Sequence, residues 1–258
     1  MHIMYMLGIM AVVFMASLFL MCFFRDRLKS PYINPLLICA TALFLFAWTY
    51  AMYEHNGLKS GFMTLDNISP YICTVIPLTP LMNQRLREYA YSAIAFLSFG
   101  MFVAMFVSPE VEYLKNYHQN ALFLHTSEAA CHLIMGLYGF YLILSGRVSL
   151  THKSFGKALI FIYSSIGFGL FLNFFFHRSY FGMDMHGNYS IYFIDIFGSF
   201  EVTLIAYLLG VLFTMMSGYI VGRFLDWTTR ADKSEPAVEA VEETPRTEET
   251  ATKDSDMP

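Results

Sequence analysis

The sequence predicts an all-α, polytopic transmembrane bundle of about seven helices, with the N-terminus outside and the C-terminus in the cytoplasm. Three observations predict it. The chain is 56% hydrophobic and only 14% charged, with 26 Phe against 16 Lys plus Arg, far from the usage of soluble domains. Apolar segments recur at bilayer length along most of the chain. The basic residues that separate them alternate between crowded and sparse loops.

The segments run from about Ile3 to Phe24, Pro35 to Tyr53, Ile68 to Met82, Tyr89 to Val107, Asn120 to Leu144, Ala158 to Phe176, and Ser190 to Gly222. The first begins at once, without a basic leader, and reads as an uncleaved anchor. The third is short and holds Pro70, Pro77 and Pro80, so it predicts a broken or tilted helix packed inside protein. The last exceeds what a membrane needs, which puts its Tyr189–Phe193 start at the interface.

Basic residues fix the orientation. Arg25, Arg27 and Lys29 follow the first segment, Arg85 and Arg87 the third, Arg147, Lys153 and Lys157 the fifth, and Arg223, Arg230 and Lys233 the seventh. The intervening loops hold only Lys59, Lys115 and Arg178, and eleven against three is a positive-inside bias. Residues 1–230 therefore form the bundle. Residues 231–258 carry nine acidic and three basic residues and no aromatic one, the composition of a solvated, disordered tail. Nothing basic beyond topology calls for nucleic acid. No organic cofactor is called for either. Cys22, Cys39, Cys73 and Cys131 lie in apolar segments without CxxC spacing, which excludes a zinc knuckle or disulfide framework.

The chemistry-bearing feature is His125, Glu128 and His132. At 100° per residue their spacing puts all three on one helical face within roughly 60° of arc. Ionisable groups in hydrocarbon cost several kcal/mol and usually face a protein interior or a water-filled cavity. A hydrogen-bond cluster holding helices together is the competing reading. At the same depth the topology puts Cys73, Asn173, His177, Asp195 and Glu201, so polar groups from four segments converge on the outer half of the membrane. That pattern predicts an outward-facing polar cavity.

Three chemistries fit such a cavity. Acyl transfer needs a nucleophile, a base and a group orienting the base, roles open to Cys73, to His132 or His125, and to Glu128 or Asp195. Cys131 lies off the histidine stripe. Metal binding would draw on His125, Glu128, His132, Asp195 and Glu201, although their spacing matches no standard zinc motif. Proton-coupled transport would use the same groups as a relay, but the inner halves of the segments offer little beyond Ser164, Ser165 and Thr214. Gly136 with Gly139, and Gly167 with Gly169, predict close helix packing. Asn67-Ile-Ser69 and Asn188-Tyr-Ser190 are sequons.

Between about Thr64 and Thr214 the chain resembles the YwaF-like integral membrane proteins of bacteria. The residues that carry the likeness are Asn67-Ile-Ser-Pro70, Ser108-Pro-Glu110, His132 with Tyr141 and Gly146, Asn173 before the aromatic stretch ending at Tyr180, and Asp195-Ile-Phe-Gly198. Eukaryotic relatives of that family remodel phospholipids through a Cys/His pair. The resemblance therefore implies a bacterial inner-membrane acyltransferase that takes phospholipid or lysophospholipid and uses His132. The family's cysteine string is missing here. Aligning on Asn67–Pro70 puts Asp66 at the cysteine position and Cys73 two turns later.

If the charge pattern sets the orientation, a reporter fused after Pro258 reads cytoplasmic and a cysteine placed at Lys115 is labelled by an impermeant reagent. Labelling at Lys115 only after permeabilisation contradicts it. Truncation after Lys233 is expected to leave the detergent-solubilised size unchanged, because so polar a segment builds no core.

Overall fold

A computed structural model describes residues 2–56, 68–107, 122–176, 180–182 and 199–231. Asp66, Asn67, His177, His186, Asn188, Asp195 and the acidic tail lie outside the described residues. The described residues form seven α-helices: α1 His2–Phe23, α2 Ile33–Asn56, α3 Ile68–Leu78, α4 Gln84–Val107, α5 Leu122–Leu144, α6 His152–Phe176 and α7 Phe200–Ala231. Short 3-10 turns span Arg25–Lys29, Thr79–Leu81 and Tyr180–Gly182, and no strand occurs among the described residues.

Four of the helices are long and apolar enough to cross a membrane, over Ile33–Glu54, Thr126–Leu144, His152–Phe176 and Phe200–Thr229. Gly8–Phe23 and Ile68–Leu81 are shorter apolar stretches. This is an architecture compatible with a multi-pass integral membrane protein. Helices suit that setting because every backbone polar group is satisfied within the segment. Burial then sorts the spans: 72% of the α5 stretch is buried, against 22% in α2 and α6 and 17% in α7. The outer helices turn Phe46, Phe168, Phe174, Phe213 and Phe224 outward, as lipid-facing surfaces do.

Helices α4 and α5 form the central pair. Around α5 stand α1, α2 and α3, and around α4 stand α6 and α7. Phe14 of α1 stacks on Phe102 of α4 at 3.9 Å between ring centroids. Small residues set the approach of the central helices. A Cβ on Gly139 of α5 would sit 2.6 Å from Ser98 Cβ of α4, and one on Gly218 of α7 would collide with the Phe96 carbonyl of α4. Gly136 meets Phe14 and Phe102 in the same way, whereas Gly167 has open space beside it, so the predicted packing role fails for Gly167.

The third segment breaks where its prolines require. Pro77 lies inside α3 and has no N–H, which denies the Cys73 carbonyl its helical donor. The chain then tightens into the 3-10 turn that contains Pro80, and Arg87 of α4 fastens it, donating to the carbonyls of Thr79 at 3.0 Å and Met82 at 2.7 Å. At the same end of the bundle Arg25 ties three elements together. It donates to the Leu144 carbonyl at the end of α5, pairs with Asp226 of α7 at 2.6 Å and bonds Thr229. This lock helps carry α7 past the expected stop at Gly222 to Ala231. Lys157 of α6 pairs with Glu88 of α4 and holds its carboxyl below the usual carboxylate range. Because folding lowers the pKa of that carboxyl, the pair supports the fold above the usual carboxylate range, and its contribution is lost as pH falls below that range through the lowered value.

The α4–α7 contact gives a stability test. Gly218→Ala is expected to cost about 1–3 kcal/mol, the range for forcing atoms into a packed interior. Gly210→Ala, which meets nothing within 4 Å, is expected to be neutral or to raise stability by up to about 1 kcal/mol through helix propensity. Thermal unfolding in detergent reads both. Equal melting temperatures for the two variants contradict the packing.

Candidate functional site

Among the described residues, the polar groups expected to converge fall into three arrangements. The first lies in the seam between α2 and α5. His132 is buried, 6% exposed, and its Nδ1 lies 2.9 Å from the Glu128 carbonyl oxygen one turn earlier. A carbonyl only accepts, so Nδ1 carries the proton. In the neutral ring this leaves the lone pair on Nε2. The ring packs against Trp48 of α2, with centroids 5.6 Å apart and planes inclined at 55°. Trp48 is 5% exposed, and its Nε1–H is buried without a hydrogen-bond partner among the described residues. A donor left unmade in an apolar interior costs about 1–3 kcal/mol, so an orphan at such a place is a functional pointer. Glu128 is half-buried beside this seam. Towards the start of α5, Tyr50 and Phe123 meet edge to face across the same two helices, and both are exposed.

The second arrangement is in the seam between α3 and α5. Cys73 is fully buried, and its thiol lies 3.9 Å from both the Cys131 carbonyl oxygen and the Met135 sulfur. It makes no hydrogen bond to His132. Cys131 and Met135 lie about 100° and about 60° from the His132 direction on α5, so Cys73 matches the histidine in depth and is offset from it in azimuth. Cys131 itself, expected to lie clear of the chemistry, is the residue that Cys73 touches.

The third arrangement belongs to α6. Asn173 is 3% exposed and clamps the backbone of Tyr180, its Oδ1 accepting from the Tyr180 N–H at 2.6 Å and its Nδ2 donating to the Tyr180 carbonyl at 3.0 Å. The clamp holds the turn in which Phe181 adopts a left-handed φ of 57°. Phe181 is buried against Gly169 of α6, where a Cβ would clash with its ring, and lies edge-on to Tyr71 of α3. The contacts described for Asn173 are thus those of an anchor.

The remaining expected site residues are more distant or undescribed. His125 lies in the first turn of α5, and its side chain is outside the described residues, as is the whole of Asp195. Glu201 sits on the exposed face of the first turn of α7, away from the two seams. Among the described residues no three His, Cys, Asp or Glu side chains stand close enough to hold a metal ion.

Trp48 is the residue that the sequence did not flag. Its only signal there is that it is one of two tryptophans, set within an apolar helix. No family model matches the chain, and no characterised protein or solved structure shows significant similarity to it.

The unpartnered Nε1–H yields a stability prediction. Trp48→Phe keeps an aromatic ring and removes the orphaned donor, so its melting temperature in detergent is expected to match or exceed that of the parent. Trp48→Ala is expected to cost about 3–5 kcal/mol, as large-to-small core changes do. A Trp48→Phe protein as unstable as Trp48→Ala would mean that Nε1–H is hydrogen-bonded after all.

Proposed function

We propose that the protein is a membrane-embedded acyltransferase that moves an acyl chain from a phospholipid to a lipid hydroxyl, with His132 as the general base. One observation carries this reading: a buried histidine whose Nδ1–H is held by a backbone carbonyl, beside a buried indole N–H that has no partner among the described residues. A hydroxyl group bound in that seam donates to His132 Nε2 and accepts from Trp48 Nε1–H, which satisfies both. Glu128 contributes its carbonyl, and so fixes the tautomer of the base.

The reaction then runs directly between two lipids. As the acceptor hydroxyl attacks the donor's ester carbonyl, His132 Nε2 takes its proton. The tetrahedral intermediate collapses, the donor's alkoxide leaves, and the imidazolium returns the proton to it. No water is consumed, and the dry α2–α5 seam guards the ester against hydrolysis. The Cys73 contacts favour this direct route over a thioester, since the thiol is bonded towards Cys131 and Met135 and, among the described residues, to no base. The exposed Tyr50 and Phe123 give an acyl chain an apolar approach from the bilayer. The lipid substrates, the outward-facing site and a location in the plasma membrane of a bacterium belong to the same proposal.

The test uses purified protein with labelled phospholipid and lysophospholipid. His132→Ala is expected to lower the transfer rate by about two to four orders of magnitude, the usual share of a general base. Trp48→Phe is expected to lower it while leaving stability intact, and Cys73→Ala to retain it. Hydroxylamine-sensitive label on the parent protein that Cys73→Ala lacks would replace the direct route with a thioester. Full transfer by His132→Ala would remove the proposal altogether.

A further inference from the structure

The opposite end of the bundle holds a second site. A cavity of about 730 Å³ opens between the end of α1, the turn joining α5 to α6, and the last turns of α7, and its polar lining includes Arg25, Ser149, Thr151, Arg223 and Asp226. We propose that this cavity binds the phosphodiester headgroup of an anionic membrane lipid.

Four observations support it. First, the charge is right. Two guanidiniums and one carboxylate line the cavity, which leaves one net positive charge to meet the one negative charge of a phosphodiester. Second, the two arginines are not equivalent. Arg25 is committed to Asp226, Thr229 and the Leu144 carbonyl. Arg223 is exposed and makes a single long hydrogen bond, 3.4 Å to Tyr219 Oη, with no ion pair among the described residues. Its planar fork is suited to bidentate contact with phosphate oxygens. Third, Ser149 and Thr151 line the same cavity at the start of α6, where both hydroxyls meet Ser154 Oγ and Thr151 Oγ1 also accepts from the Ser154 N–H; hydroxyl oxygens have more than one bonding site, so this network adds a polar wall to the cavity. Fourth, there is a path for the chains. Ile220, Phe224 and Trp227 follow one another at helical spacing, all are exposed, and Trp227 also lines the cavity. A headgroup seated in the cavity therefore has its acyl chains laid along a lipid-facing stripe of α7. A soluble phosphate uses the charge but not the stripe. Basic pockets between helices at the positively charged side of a membrane protein are where anionic headgroups collect.

The site is remote from the α2–α5 seam and does not depend on acyl transfer. Full-length protein is stripped of lipid in detergent and then offered phosphatidylglycerol, phosphatidylcholine or inorganic phosphate. Native mass spectrometry and thermal unfolding read the binding. One phosphatidylglycerol is expected to be retained per chain and to raise the melting temperature, with phosphatidylcholine and phosphate doing neither. Arg223→Gln is expected to weaken retention at least tenfold, the factor that about 1.4 kcal/mol represents. Trp227→Ala, a change at an exposed position, is expected to weaken it as well, and provides a second readout should Arg223→Gln fold poorly. Lys29→Gln, whose parent lysine is exposed and pairs only locally with Asp26, is expected to change nothing. Equal retention of phosphatidylcholine, or unchanged retention in Arg223→Gln and Trp227→Ala, overturns the proposal. Displacement of phosphatidylglycerol by inorganic phosphate, with the same thermal shift, overturns its lipid part and leaves a soluble-anion site.

Discussion

Hydrocarbon offers no hydrogen-bond partner, and that constraint shapes each polar side chain inside this bundle. Most of them turn back onto their own helix. Thr41 donates to Leu37, Thr74 to Pro70, Ser165 to Phe161 and Thr214 to Gly210, each reaching the carbonyl four residues earlier. His132 does the same with Glu128. Of these, Ser165 also meets a neighbouring helix, its hydroxyl lying 2.7 Å from Tyr71 Oη of α3, while the other bonds stay within one helix. The helices are therefore free to meet through apolar and small surfaces, as α4 does with Gly139 and Gly218. Against that background the exceptions stand out. Trp48 Nε1, Ser145 Oγ and Tyr207 Oη are the buried side-chain atoms without a partner among the described residues, and of these Trp48 has a histidine beside it.

The two ends of the molecule use polarity differently. At the basic end, long side chains reach across elements: Arg25, in the turn after α1, joins the ends of α5 and α7, Arg87 secures the break after α3, and Lys157 joins α6 to α4. These contacts lie near the rim, where a guanidinium buries its stem and keeps its head near polar surroundings. They hold the helices in place around the cavity that Arg223 lines. Towards the other end the polar groups sit within the bundle and bond mostly within their own helix, with Tyr71 of α3 and Ser165 of α6 joined across two helices. The rigid basic end thus frames one proposed lipid contact, and the local bond of His132 to its own helix sets up the other.

Much of the fold was legible in the sequence because hydropathy at bilayer length and proline chemistry are local properties. The helix count followed from apolar runs, and the break in the third segment from Pro77 and Pro80. The end of α7 was not legible, since the stabilising partner of Asp226 is Arg25, about two hundred residues away in the chain. For the site, helical arithmetic put Glu128 and His132 on one stripe of α5. It gave no information on which neighbouring helix covers that stripe. Cys73 shows the cost: depth alone made it a partner for His132, whereas the rotation of α3 about α5 sets it against Cys131 and Met135. Trp48 was invisible for the complementary reason. An indole in an apolar helix looks like filler until its environment shows that its N–H has no partner among the described residues.

The central claim is that His132 keeps its proton on Nδ1 and presents a bare Nε2 to the α2–α5 seam. The most direct measurement is the ¹⁵N spectrum of ring-labelled protein in lipid bilayers, with His132 assigned by the signals missing from His132→Gln. The account predicts a ring protonated at Nδ1 and bare at Nε2. A protonated Nε2, whether in the opposite tautomer or in a charged ring, would contradict it, because that ring accepts no proton from a bound hydroxyl.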